Sequence, residues 1–363
     1  MMWLNKSFEE KVFINTELLL AIYGAQMVAV SVYYAIKNLY PDCSIVSFIV
    51  SNREGNPDFI EDIPVVTLQE FNRKDVQILI AVPEYFHEEI VVSLEEKGIR
   101  NYVCIDCEKE AELMCRFYEK TGQIQALGSF PQGTDKAELF VGMSKFYGDK
   151  KLKGTYSIPD WVHSVQAGAA LTDIVMDSLR DNRGENISVK NVNYCELTVM
   201  YWLGKHIGSE YIGLFHYRRM LDVKEEDLYR LRTGEIDVIL PYPTIHYPNI
   251  QEHHKRYLKE SDWNTMVEAL KEVSPEYFKY FSKVFEGQYF YNFNMFVARE
   301  QIFKDYCNWL FPILTRVEEL SNPQGSKRAD RYIGYMGENL TTLYFTVNRE
   351  KLNIAHTGRR ILV

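Results

Sequence analysis

The sequence predicts an α/β protein in two parts: a parallel-sheet domain over residues 1–125, a linker at 126–136 and a second mixed domain over 137–363. Three observations predict it. Short β-branched runs alternate with amphipathic stretches through residues 15–110, the pattern of parallel strands joined by crossover helices. The stretch from Gly122 to Asp135 is rich in Gly, Pro, Gln and Ser and has no period, which marks a boundary. The 363 residues suffice for two domains at roughly 150 residues each.

Each element has its own signal. Leu18 to Gly24 reads as a buried strand ending at a glycine turn, and Ala25 to Leu39 follows with helical spacing. Ile45 to Val50 and Gln77 to Val82 are further buried strands, the second closed by Pro83. Phe86 to Lys97 is helical with Gly98 as its stop, and Tyr102 to Ile105 is a fourth strand. Beyond the boundary, Leu139 to Met143 is a strand. Asn193 stands three residues before Glu196, a capping pair that opens a helix to about His206. Tyr211 to Phe215, Ile236 to Leu240 and Tyr289 to Val297 are strands, while Phe303 to Glu319 and Asn339 to Val347 are helices.

Composition removes several function classes. Lys and Arg number 41 against 50 Asp and Glu, a net charge of −9, the wrong sign for a phosphate-backbone binder, so nucleic acid is not an expected partner. No apolar run reaches the roughly 18–20 residues of a membrane span. Met1 to Glu10 carries charges where a secretory signal needs an apolar core, and six cysteines do not make a disulfide framework. The reading is a reduced, cytoplasmic chain. Peripheral attachment at the inner membrane face and self-association stay open.

The first domain resembles a dinucleotide-binding βαβ unit, whose glycine loop lets the backbone approach a pyrophosphate. Here the loop is Gly24-Ala-Gln-Met-Val-Ala29, with only the first glycine present and Gln26 where the phosphate would sit. The expectation is a Rossmann-like accessory domain; an NAD-dependent nucleotide-sugar oxidoreductase or epimerase is the alternative. Cys104 and Cys107 have C-x-x-C spacing, but no second pair completes a zinc site, so they read as buried or half-buried thiols.

The second domain carries denser chemistry. Tyr211-Ile-Gly-Leu-Phe-His-Tyr-Arg-Arg219 places His216, Arg218 and Arg219 at a strand's carboxyl end, where open α/β sheets bind ligands. Two guanidiniums and an imidazole can hold a diphosphate or sugar hydroxyls, or form a solvated basic turn or internal ion pair. Asp181-Asn-Arg-Gly-Glu-Asn-Ile-Ser-Val-Lys-Asn191 is a polar loop leading into a helix. In a strand, Asn292 and Asn294 share one face, which suits hydroxyl recognition; a solvated edge strand is the other reading. Asp237 lies within a β-branched run and must be paired or sit at a strand end. Glu338 follows a glycine at an expected helix start, where the helix dipole favours an ionised carboxylate and hence a base. His246, His253 and His254 lack metal-ligand spacing and read as a loop.

Together these stretches resemble a bacterial glycosyltransferase family common in capsular and exopolysaccharide gene clusters, its domain long catalogued as of unknown function. The matching motifs are Asp181-Asn-x-Gly-x-Asn-Ile-Ser-x-Lys-Asn191, Tyr194-x-Glu-Leu-Thr198 with Tyr201-Trp202, Gly213-Leu-x-His-Tyr-Arg-Arg219, Asn294-Met-Phe296, Trp309-Leu-Phe311 and Arg331-x-x-Gly-x-x-x-Glu338. The resemblance covers about Glu138 to Val363. It implies a GT-A-like nucleotide-sugar fold and transfer of a hexose, galactofuranose first, from a UDP-sugar to a hydroxyl of a growing lipid-linked oligosaccharide, with inversion. On that footing Glu338 is the base, with Asp237 as runner-up. Lys190, His216, Arg218, Arg219, Asp181, Asn182, Asn186 and Asn191 hold the donor, and Asn292 and Asn294 orient sugar hydroxyls. The Asp-x-Asp that usually holds a divalent metal is missing from this domain, so cationic side chains are expected to replace it and no cofactor is implied. A non-enzymatic scaffold in polysaccharide assembly is the remaining alternative.

Overall fold

The computed structural model describes residues 13–362. The reading of Met1 to Glu10 therefore lies outside the described residues. The chain forms two compact units that divide between Asp106 and Cys107.

The first unit is a six-stranded sheet. In order across it are Phe59–Ile60, Ile63–Thr67, Ile45–Val50, Leu19–Tyr23, Val76–Ile80 and Tyr102–Cys104. All pairs are parallel except the first, a hairpin. Leu20–Ile22 and Ile78–Ile80 are wholly buried, as expected for strands covered on both faces. Gly24 has φ +120°, and a Cβ there would meet the Ala81 carbonyl oxygen at 2.7 Å, so only glycine closes this strand. Gln26 reaches across the loop to Asn56 at 2.8 Å. Neither Cys104 nor Cys107 is in a disulfide, and both are half-buried.

The second unit is built on a ten-stranded sheet. Its main path runs Leu179–Arg180, Val162–Gln166, Leu139–Lys145, Tyr211–His216, Phe296–Arg299, Val238–Pro241, Ile354–Thr357 and Gln125–Ala126. All neighbours on this path are parallel except Phe296–Arg299, which runs antiparallel between its two partners. Helices Leu197–His206, Glu260–Val273, Glu300–Leu320 and Tyr332–Asn348 bury their apolar stripes on one face, with Phe296, Phe303, Leu310 and Phe345 fully buried in that core. A second core covers the other face around Val141, Phe215, Val297 and Ala355. The path reverses between the Leu139 and Tyr211 strands: after Leu139–Lys145 the chain steps outward twice, then returns to the other side. Among the described residues no helix is long and apolar enough to cross a membrane.

Four expectations differ from this structure. The segment 126–136 is not a linker: Ala126, Leu127 and Phe130 are buried, and Gln125–Ala126 adds an edge strand beside Ile354–Thr357. The helix expected over 193–206 is two helices, Asn191–Tyr194 and Leu197–His206, broken at Cys195 with φ +53° and ψ −130°. The strand expected over 289–297 is interrupted between Phe290 and Phe296, where Phe293 and Asn294 take φ +74° and +51°. The last helix begins at Tyr332, so Glu338 lies inside it. Gly334 and Gly337 are not turn glycines; they let the helix approach closely, since a Cβ on Gly337 would meet Leu197 at 2.7 Å.

Candidate active site

A cleft of about 420 Å³ opens at the carboxyl ends of the Leu139 and Tyr211 strands, beside the topological switch point. The Tyr211 strand ends at His216, which pairs back with Arg219 across a tight hairpin. That turn presents His216, Arg218 and Arg219 to the cleft. The Arg219 guanidinium lies 4.4 Å from the Phe293 ring centre, and Arg218 lies 5.7 Å from that of Tyr217. His216 Nε2 donates to the Phe293 carbonyl at 2.6 Å. Burial holds the imidazole below its ordinary pKa, and the Arg219 and Arg331 charges add to this while Glu196 opposes it. His216 is therefore a neutral, fixed tautomer.

The opposite wall is the final helix. Arg331, Tyr335 and Glu338 fall at i, i+4 and i+7 and line the cleft together. Burial raises the Glu338 carboxyl to about 8, with the nearby Glu196 charge second; a backbone hydrogen bond at Phe293 and the Arg219 charge work the other way. The expectation that a helix start would favour its ionised form is thus corrected: the helix interior, desolvation and a like charge do the reverse. Asp149, on the loop after the Leu139 strand, is also raised by burial, while Arg331 and Arg218 pull it down.

Glu196 completes the constellation. Its Oε1 accepts from Asn294 Nδ2 at 2.7 Å and faces His216 Nε2 at 3.7 Å. The break at Cys195 turns it into the cleft, and Asn191 pins that break by donating to the Cys195 carbonyl at 2.7 Å. Cys195, Phe293 and Asn294 are non-glycine residues at positive φ, and all three border this one site. Such strain costs on the order of 1–3 kcal/mol per residue and gathers where function fixes geometry. Cys195→Gly is accordingly expected to be about 1–2 kcal/mol more stable than Cys195→Ala in urea unfolding, because only glycine relaxes φ +53°. Equal stabilities would show that the backbone there is unstrained.

The sequence-predicted residues divide. His216, Arg218, Arg219, Asn191 and Glu338 line the cleft. Asn294 stands behind it, holding Glu196 and the Gly334 carbonyl. Asn292 is buried elsewhere, donating to Thr244, so the shared strand face of the two asparagines does not exist. Asp181 is fully buried and accepts from the Gly168 and Ala169 amides and the Ser188 and Thr198 hydroxyls. Asn186 closes its own loop through Gly184 and Ser188, and Asn182 is not among the cleft residues. Lys190 is paired with Glu318 at 2.6 Å. Asp237 sits at the amino end of its strand, the opposite edge of the sheet, held by Arg299 at 3.2 Å and the Asn353 amide at 2.9 Å.

Sequence reasoning missed Asp149 and Tyr335, and it gave no site role to Glu196 and Arg331, which fall within the matching motifs. The Arg331, Tyr335, Glu338 spacing was a usable signal once the helix was extended upstream. Glu196 stands in the sequence as a helix cap and inside the Tyr194-x-Glu-Leu-Thr198 motif, neither of which names it as a site residue. Among the described residues no group of three or more His, Cys, Asp and Glu side chains could hold a metal ion. The His246 ring packs on His253 at 3.8 Å and the His254 ring on Trp263 at 3.6 Å, inside the fold.

Residues 153–349, more than half of the chain, match the model of a family described as a domain of unknown function, DUF4422. Among solved structures the chain is similar to an apo structure of the WbbM bifunctional glycosyltransferase, with 25% identity and a TM-score of 0.53. That likeness covers 62% of this chain and 45% of the other, so the chain spans less than half the length of that neighbour. No curated protein matches. The fold is the α/β arrangement that the sequence led us to expect, Rossmann-like and GT-A-like.

Proposed function

The chain belongs to the DUF4422 family, and from that footing we propose that it is a glycosyltransferase which moves a hexose from a UDP-sugar to a glycan hydroxyl. One observation carries the reading: a carboxyl group with its pKa raised to about 8 shares a switch-point cleft with Arg218, Arg219 and Arg331. The likeness to a glycosyltransferase structure supports it.

The chemistry follows from charge flow. As the bond from the anomeric carbon to the diphosphate oxygen breaks, the sugar turns cationic and the leaving group gains negative charge. Guanidiniums on both walls can receive that charge without reorganising. The acceptor oxygen forms the new bond from the opposite face, giving inversion, and Glu338 takes its proton. A carboxylate whose pKa sits near working pH is a stronger base than an exposed one and still partly ionised. His216, fixed by Phe293, orients sugar hydroxyls. Glu196 is the neighbouring charge that keeps Glu338 basic. The donor we favour is UDP-galactofuranose and the acceptor a growing, lipid-linked capsular or exopolysaccharide chain, both on the family resemblance. The work then falls at the inner membrane face. The first unit is read as an accessory domain: its loop offers Gln26, bonded to Asn56, where a pyrophosphate would need open backbone.

UDP at 100 times its dissociation constant is expected to add about 2.7 kcal/mol of stability, while NAD adds none. A thermal shift with NAD alone would favour the oxidoreductase reading, and a shift with neither would favour a scaffold. Turnover should also survive EDTA, since three guanidiniums occupy the cleft. Activity lost to chelator and restored by manganese would overturn the cationic mechanism.

A further inference from the structure

A second cavity, about 490 Å³, lies within the same unit. Three helix carboxyl ends converge on it. Gly122 and Gln123 follow Cys107–Thr121, Gly287 and Gln288 follow Phe281–Phe285, and Thr346 and Arg349 stand at the end of Tyr332–Asn348. Helix carboxyl ends carry partial negative charge and so repel anions, although the Gly287 and Gln288 carbonyls already accept from the Ile250 and His246 amides. Among the described residues no carboxylate lines the cavity; Lys283 and Arg349 do, and Arg349 is already turned onto the Gln123 carbonyl at 3.2 Å. The Arg349 charge is thus directed at a helix end.

The remaining lining is aromatic and amide. Tyr118 and Tyr289 meet edge to face at 5.8 Å, and Tyr291 donates or accepts with His356 Nε2 at 2.9 Å. Gln125 and Asn353 add carboxamides. Side-chain amides for both senses of hydrogen bond, a phenol beside an imidazole and flat apolar rings for C–H faces make a surface for a polyhydroxylated, uncharged molecule. A nucleotide's phosphates would face three helix carboxyl ends, whose polarity opposes an anion.

We propose that this cavity is a saccharide site that holds a neutral oligosaccharide segment of the glycan acceptor, apart from the point of transfer. The acceptor assignment rests on the transferase reading; the saccharide assignment does not. A physical link to the reaction exists. Tyr291 lines the cavity, and Phe293, two residues on, lines the cleft and anchors His216.

Microcalorimetry with maltohexaose and a β-linked galactohexaose tests it, with trigalacturonate as the acidic control. At least one neutral hexasaccharide should bind with a dissociation constant of about 1 mM or tighter, and trigalacturonate more weakly. Tyr289→Ala and Gln123→Ala should each weaken binding at least tenfold. Glu338→Gln and saturating UDP should leave it unchanged. No binding by either neutral probe, preference for trigalacturonate, loss on Glu338→Gln, competition by UDP, or survival in both cavity variants would each overturn the proposal. Neutral binding in a protein that UDP does not stabilise would keep the saccharide site and sink the transferase reading instead.

Discussion

Glu338→Gln should lower kcat by roughly 10²–10⁴ and leave the UDP-induced thermal shift intact. The substitution keeps size and hydrogen bonding but removes the only function proposed for the group, taking the acceptor proton. Because its carboxyl titrates near 8, turnover of the native protein should climb as pH rises through that value and level off above it. Glu196→Gln removes the like charge that helps hold Glu338 up, so the same climb should move to lower pH. Stability runs the other way. A carboxyl whose folded pKa lies above its unfolded value of about 4.3 contributes stability that is present below that value and lost as pH rises through about 8. Glu338→Gln should therefore flatten the fall in melting temperature over this window. Near-normal turnover in Glu338→Gln, or an unmoved profile in Glu196→Gln, would remove Glu338 from the role of base.

The same residues show what the sequence made legible. Ile45–Val50 has the bounds expected of it, because a continuous β-branched run bounded by polar turns allows one reading. The Tyr211 strand and its basic tip were legible for the same reason, and the rule that open α/β sheets bind ligands at strand carboxyl ends made that tip a candidate site. What failed depended on partners far along the chain. Gly334 and Gly337 look like turn signals locally, yet their lack of side chains serves contacts with Cys195 and Leu197. The alternation at Asn292 and Asn294 implied one strand face, but Asn294 bonds Glu196 and its backbone sits at positive φ. The soft segment at 126–136 is polar enough to be a linker; the edge of the Ile354–Thr357 strand takes up Ala126, and the Leu228–Thr233 helix holds Phe130 through Arg230 and Gly133 through the Tyr229 carbonyl. Asp237 had two stated options, paired or at a strand end, and the fold uses both.

Asp181→Ala should cost on the order of 3–5 kcal/mol of stability, a fall in melting temperature of about 10 °C. The carboxylate is wholly buried and receives four donors. Removing it strands the Gly168 and Ala169 amides without water, at about 1–3 kcal/mol each. The Thr198 hydroxyl can turn to the Cys195 carbonyl, so its share is smaller. Asp181→Asn keeps one acceptor oxygen and should fall between the two. Gly168 packs against Asn191, and Asn191 pins the break at Cys195, so UDP binding should be lost only as the folded population is lost. The two readings of this motif now separate cleanly. A donor-binding Asp181 predicts a stable variant that no longer binds UDP; a buried hub predicts that binding returns when the folded fraction is restored by cooling. Wild-type melting with lost UDP binding would return Asp181 to the donor site and undo the placement given to it here.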